Sequence, residues 1–339
     1  MARDPPRAGT MASTLCFPIK SHLASVRAGR AITRGSVVYG PHRESIWEPS
    51  VSSASVFVST GSFAMPPAIA VGILLDAGIR DIELSGGVAH EGLHDSVLTH
   101  RDHANLQVHN YFPPADPPFV FNLASVDEQI RHRTLTCMKE AIALSAMLGA
   151  ERYGVHAGFL VDPPVSFLGR TWKSLDKADL SVAQGLFVES VIELQAHAKR
   201  TGIELLIENN VLTTGTRDEG GDEVLLMASA EQICDLMAQL PDGVGLLMDV
   251  AHLKVTASTL GFDPVAGLEV TSPFVRGYHL SDNDGMSDSN GGVTAESWFW
   301  PYLDHQVPTA TLEVAPAPDV DFFIQVELAK ELWANAGRL

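Results

Sequence analysis

The chain has 339 residues, 45% of them hydrophobic, and carries 41 Asp and Glu against 23 Lys and Arg for a formal charge of −18. So acidic a body repels phosphate backbones, which disfavours nucleic acid as a partner, and no apolar run approaches the roughly 18 residues a membrane span requires. The expectation is a cytoplasmic protein with neither a nucleic-acid nor a membrane partner, and homo-oligomerisation stays open.

Residues 1–55 differ from the rest. Through Pro49 they carry Arg3, Arg7, Lys20, Arg27, Arg30, Arg34 and Arg43 against only Asp4, Glu44 and Glu48. This reads as a poorly ordered N-terminal extension, separate from a body over 56–339. An Arg-rich, acid-poor targeting segment is one alternative, and an upstream start bypassed in favour of Met11 is another.

From Val56 onward, apolar runs of strand type alternate with helical segments, the mark of successive βα units. Strands are expected near 56–60, 79–84, 105–110, 151–156, 203–208, 244–249, 275–280 and 309–314. Helices are expected over 66–77, with prolines in the first turn, and over 125–148, where Ser125 and Glu128 form a capping box. Others follow at 181–200, opening in the same register, at 229–239 and at 320–335. The stretch after His252 has room for a short helix before Gly261. Eight such runs predict an α/β protein, a single (β/α)8 TIM barrel of about 250 residues with an irregular N-terminal extension. Two inter-element loops are long: 111–123, with Pro113, Pro114, Pro117 and Pro118, and 211–226, with Gly215, Arg217, Gly220 and Gly221. They read as lids or substrate walls, and surface insertions are the plain alternative.

The runs share a feature at their ends. Glu83, His109, His156, Glu208, Asp249, His279 and Glu313 each stand at or beside the end of one, spaced by roughly the length of a βα unit and its loops. They should converge on the C-terminal rim, where such barrels do chemistry. Glu208, Asp249, His279 and Glu313, from the last four strands, supply three carboxylates and an imidazole. That donor set suits one divalent metal ion, Mn2+, Co2+ or Mg2+, and leaves positions for a substrate's vicinal oxygens. A single strand-end glutamate is commonly just a hydrogen-bonded polar group, but four on successive strands make a site.

The segments Ile207-Glu208-Asn209-Asn210, Met248-Asp249-Val250-Ala251-His252-Leu253-Lys254, Tyr278-His279-Leu280-Ser281-Asp282-Asn283 and Leu312-Glu313-Val314 resemble the xylose-isomerase-like TIM-barrel superfamily. That group includes sugar 3-epimerases, hydroxypyruvate isomerase, inosose dehydratase and the endonuclease IV enzymes. The resemblance implies that Glu208, Asp249, His279 and Glu313 hold one catalytic metal and that His252 contacts substrate beside it. It also implies that Glu208 and Glu313 are the catalytic acid/base pair, on opposite faces of a bound sugar. The implied reaction is isomerisation or epimerisation of a small sugar, keto-sugar or polyol through an enediolate, which a cation bridging carbonyl and hydroxyl stabilises. Dehydration of a polyol ketone, with help from His252 or Lys254, is the alternative, and a non-catalytic sugar-binding barrel is a third.

The pattern departs from the DNA-repair members, which use a three-metal cluster. His109, His156 and Glu83 are strand-end candidates for it, but Asp288-Ser289-Asn290 stands where those enzymes carry Asp-x-His. The missing imidazole and the acidic body argue against phosphodiester hydrolysis. His109 and His156 are then expected to bind substrate hydroxyls, with a second metal, or a plain barrel-mouth histidine, as alternatives. Asn209 and Arg217 are further expected substrate contacts. Lys254 could neutralise a substrate acid, phosphate or enediolate, or simply face outward from a helix start. Trp298 and Trp300 could wall a sugar's C–H face or pack the core. No Gly-rich phosphate cradle stands out, which favours an unphosphorylated substrate. Cys137 and Cys234 are expected to be buried and inert, and the lack of paired cysteine spacing indicates a reducing compartment.

Overall fold

Eight parallel strands close a barrel in chain order, with the first hydrogen-bonded to both the second and the eighth. The structure is a computed structural model that describes residues 55–63, 65–167, 174–315 and 321–336, so the N-terminal segment, with Met11 and Cys16, lies outside the described residues. The chain runs β1 (Ser55–Ser59), α1 (Pro67–Asp76), β2 (Asp81–Leu84), α2 (Leu93–Leu98), β3 (Asn105–His109), α3 (Glu128–Leu148), β4 (Arg152–His156) and α4 (Leu180–Thr201). It continues through β5 (Glu204–Glu208), α5 (Thr214–Gly220), α6 (Ala230–Met237), β6 (Val244–Asp249), α7 (Val250–Leu260), α8 (Pro264–Thr271), β7 (Val275–Leu280), β8 (Thr309–Leu312) and α9 (Phe322–Ala336).

Strands enclosed on both faces need apolar residues at every position. Leu205-Leu206-Ile207 of β5 and Leu246-Leu247-Met248 of β6 are accordingly all buried. Along β5 and β6 polarity returns at the rim, with Glu208 and Asp249, while β2, β3 and β8 also carry Glu83, Gln107 and Thr311 inside the barrel. Register then sets the polar ends level: His156 pairs with Glu208, Asp249 with His279, and Leu280 with Leu312, the residue before Glu313.

Helix starts correct two expectations. α3 is capped by Asp127, whose Oδ1 accepts from Gln129 N at 2.8 Å, while Ser125 Oγ donates to Asp162 Oδ2 at 2.8 Å. A carboxylate two residues on, with the backbone already turning, takes the cap from the serine. α4 likewise starts from Asp179, which accepts from Ser181 N and Val182 N. The short helix expected between His252 and Gly261 is α7, which starts earlier, at Val250, and a further helix, α8, follows it.

Both long loops are built into the walls. In the first, Phe112, Val120, Phe121 and Leu123 are buried. In the second, which contains α5, Leu225 bridges to Phe159 and joins a small apolar cluster with Val161, Leu212, Val224 and Ala228. Cys137 and Cys234 are half-buried rather than buried, and partial burial raises both thiols. Among the described residues no helix is long and apolar enough to cross a membrane.

Candidate metal centre

At the ends of β5 to β8, Glu208, Asp249, His279 and Glu313 each offer one ligand atom, and these atoms all lie within 4.8 Å of one another. His279 Nδ1 is 3.2 Å from Glu208 Oε1 and 3.0 Å from Glu313 Oε2. Glu208, Asp249 and His279 are buried, whereas the Glu313 side chain keeps 17% exposure toward the opening. Glu208 Oε1 and His279 Nδ1 are buried without a hydrogen bond. Buried polar atoms rarely stay unsatisfied, and a hard cation with oxygen and imidazole donors fits the space between them.

The Asp-x-x-His segment explains how two of these groups are placed. Asp249 is the last residue of β6 and the N-cap of α7, its Oδ1 accepting from His252 N at 2.7 Å. His252 therefore sits in the first helical turn, with Nδ1 donating to Asn209 O across 2.8 Å. Its Nε2 is left facing Asp249 Oδ2 at 3.7 Å and Asp288 Oδ2 at 3.5 Å.

On the other side of the mouth, His109 Nε2 lies 2.7 Å and His156 Nδ1 3.2 Å from Glu208 Oε2. These three form a second group with ligand atoms inside 4.8 Å, so Glu208 is common to both groups. Gly154 of β4 makes this possible: a Cβ there would lie 3.0 Å from His109 Cδ2 and 2.9 Å from Leu247 Cδ2.

The charges follow the carboxylates that each ring faces. Burial opposes ionisation of Glu208, but His156, His109 and His279 around it hold the carboxyl well below its ordinary value. Burial lifts Asp249, and Glu208 and Asp288 push it the same way. For His252 and His279 burial is outweighed by carboxylates, Asp249 and Asp288 for the first, Glu83 and Glu208 for the second, so both rings are raised well above 6.5. His109 rises for the same reason, through Glu208. His156 goes the opposite way, pushed down to about 3 by burial against which Glu208 alone pulls.

Three expected substrate contacts are otherwise engaged. Asn209 is fully buried, its Oδ1 accepting from Asp249 N at 2.7 Å and its Nδ2 donating to Asp249 O at 3.1 Å. Strand alternation turns it away from the face that Glu208 occupies, so it clamps β5 to β6. Lys254 binds Asp282 Oδ1 at 2.7 Å and Asn283 O at 2.5 Å, tying α7 to the loop after β7. Arg217 pairs with Asp222 at 2.6 Å and donates to Thr259 O at 2.9 Å, with its side chain 41% exposed. Trp300 is a core residue that donates to Thr294 O, and Trp298 packs partly buried against the same core. Gln107 and Thr311 are not among the expected site residues, yet both reach Glu83. Their signal was a polar side chain inside an otherwise apolar strand run. A cavity of about 390 Å³ opens between the start of α2, with the loop before it, and the loop after β3, lined by His90, His94, Asp95, Pro113 and Pro114 among others, with none of Glu208, Asp249, His279 and Glu313 in its wall.

The profile of the family described as xylose isomerase-like TIM barrel matches residues 74–309. No curated protein matches the sequence. Among solved structures, a D-tagatose 3-epimerase-like protein is 18% identical with a TM-score of 0.64, over 83% of this chain and 98% of its own. TTHB071 protein from Thermus thermophilus, from a ZnCl2 soak, is 23% identical with a TM-score of 0.52, over 81% and 97%. An L-ribulose 3-epimerase is 14% identical with a TM-score of 0.57, over 84% and 94%. At these identities the likeness is one of fold.

Proposed function

This chain belongs to the xylose isomerase-like TIM barrel family, and we propose that it is a divalent-metal-dependent isomerase or epimerase of a small sugar, keto-sugar or polyol. The observation that carries the reading is the convergence of Glu208, Asp249, His279 and Glu313, with two glutamates reaching the same imidazole nitrogen from β5 and from the end of β8. A bound Mn2+, Co2+ or Mg2+ would supply Lewis acidity, drawing charge from a substrate carbonyl and its neighbouring hydroxyl so that the adjacent C–H can be deprotonated.

The chain's own groups do the rest. Glu208, held ionised by the imidazoles around it, is ready to accept a carbon-bound proton. Glu313, the most exposed of the four, returns a proton from the side of the opening. Return to the opposite face gives the epimer, and return to the neighbouring carbon gives the isomer. His156, neutral at physiological pH, and His252 through its Nε2 are the hydrogen-bonding partners for substrate hydroxyls. The similarity in fold to proteins described as D-tagatose 3-epimerase-like and L-ribulose 3-epimerase supports a ketose substrate.

Incubation of the Mn2+-loaded protein with ketopentoses and ketohexoses in D2O tests this. Deuterium should enter a carbon next to the carbonyl, whereas a product lighter by one water would point to dehydration, and no exchange across the panel overturns the reading. A two-cation centre is the second reading, favoured by the His109–His156–Glu208 group. Titration of metal-free protein with Zn2+ decides it, because one equivalent bound excludes a pair of ions.

A further inference from the structure

Glu83 lies inside the barrel on β2, 2% exposed, and not at the open rim. Its Oε2 accepts from Gln107 Nε2 at 2.8 Å and from Thr311 Oγ1 at 3.0 Å. Gln107 is held in turn, its Nε2 also donating to Thr311 Oγ1 at 2.9 Å. Both carboxylate oxygens of Glu83 stand 3.3 Å from His279 Nε2. The other ring nitrogen, Nδ1, faces Glu208 and Glu313.

An imidazole that gives one nitrogen to a cation carries its proton on the other, and a carboxylate bonded to that N–H fixes both the tautomer and the ring plane. We propose that Glu83 is a positioning residue: clamped by Gln107 and Thr311 from β3 and β8, it holds His279 Nε2–H and so commits Nδ1 to the group formed with Glu208, Asp249 and Glu313. The inference rests on the reading that those four residues share a cation. Four strands then cooperate on one ring, since β2, β3 and β8 fix what β7 presents. The rival role for Glu83 is as a ligand itself, since its carboxylate, His109 and His279 also offer atoms within 4.8 Å of one another.

Co2+ titration of the metal-free wild type, E83Q and E83A separates the possibilities, with absorption in the visible reporting ligand geometry. Co2+ should bind the wild type, bind E83Q more weakly and bind E83A about 10- to 100-fold more weakly, with stoichiometry unchanged and the visible bands displaced. In Zn2+-loaded protein, long-range 1H–15N correlation should show His279 protonated at Nε2 in the wild type and a mixed or rotated ring in E83A. The isosteric E83Q guards against a fold defect, since its amide oxygen can still accept from the ring. Wild-type affinity and spectrum in both variants overturn the proposal. Loss of one full metal equivalent overturns it too, by making Glu83 a ligand. A wild type that takes up no Co2+ removes the shared-cation reading, and the proposal falls with it.

Discussion

Histidine serves in opposite ways at His252 and His279 on one side of the barrel mouth and at His156 on the other. On α7 and β7, His252 and His279 stand among carboxylates and are pushed toward the protonated form. On β4, His156 is equally enclosed but has only Glu208 to favour its charge, with His109, His252 and His279 opposing it, and stays neutral. Burial is common to both sides, so the number of carboxylates facing each ring decides its charge. On the proposed reading one side is thus an oxygen-rich cradle for a hard cation, while the other sets a His109 raised by Glu208 beside a neutral His156, with Glu208 joining the two.

Glu208→Gln attacks that junction and should have the largest effect. On the proposed reading it removes a ligand, a proton acceptor and the anion common to both sides, so solvent-deuterium exchange into a ketose should fall by about 10^3 to 10^4. Exchange within tenfold of wild type would mean that the two sides work independently. His156→Ala probes the neutral ring alone. The expected result is a rise of about tenfold in KM, the loss of one hydrogen bond to a substrate hydroxyl, with bound Mn2+ unchanged by elemental analysis. A drop in bound metal would instead place His156 among the ligands.

The rings also predict a pH dependence. In the metal-free protein the folded values of His252 and His279 lie above 6.5 and that of Asp249 is raised as well. Such groups contribute stability that is complete below their unfolded values and is lost as pH climbs through the folded ones. Metal-free protein should therefore lose Tm as pH climbs above about 6.5, as those protons leave. Metal-loaded protein has already given them up, so the Tm gap between the two forms should widen with pH. A gap that is constant, or narrows, would show that metal and protons do not compete for these groups.

The strands were the most legible part of the chain because a parallel strand enclosed on both faces is apolar throughout. Leu246-Leu247-Met248 announces itself, and the Asp249 that follows is conspicuous for ending it. The four rim groups were readable for that reason. Direction was not readable. Asn209 adjoins Glu208 in sequence, yet the alternation of side chains along β5 sends it to the backbone of Asp249. α2 and α5 went unseen because six or seven residues hold too few turns to show a helical period. Ser125 and Asp127 are both good caps, and only the path of the chain chooses between them.

Two smaller perturbations sharpen the contrast. Gly154→Ala crowds His109 and Leu247 on the side that carries His156 and should cost about 1 to 3 kcal/mol of stability, the usual penalty of overpacking. Calorimetry would reveal it, and an unchanged Tm would mean that the imidazole wall yields more easily than its packing indicates. Arg217→Ala should do least. Its partially exposed side chain is already held by Asp222 and Thr259 O, so KM should stay within about twofold of wild type. A larger rise in KM would restore Arg217 as a substrate contact.

Anomalous diffraction from crystals of the Mn2+-loaded protein tests the central claim most directly. The account predicts a strong manganese peak within bonding distance of Glu208, Asp249, His279 and Glu313. A map with no peak there, or with its only peak between His109 and His156, would contradict it.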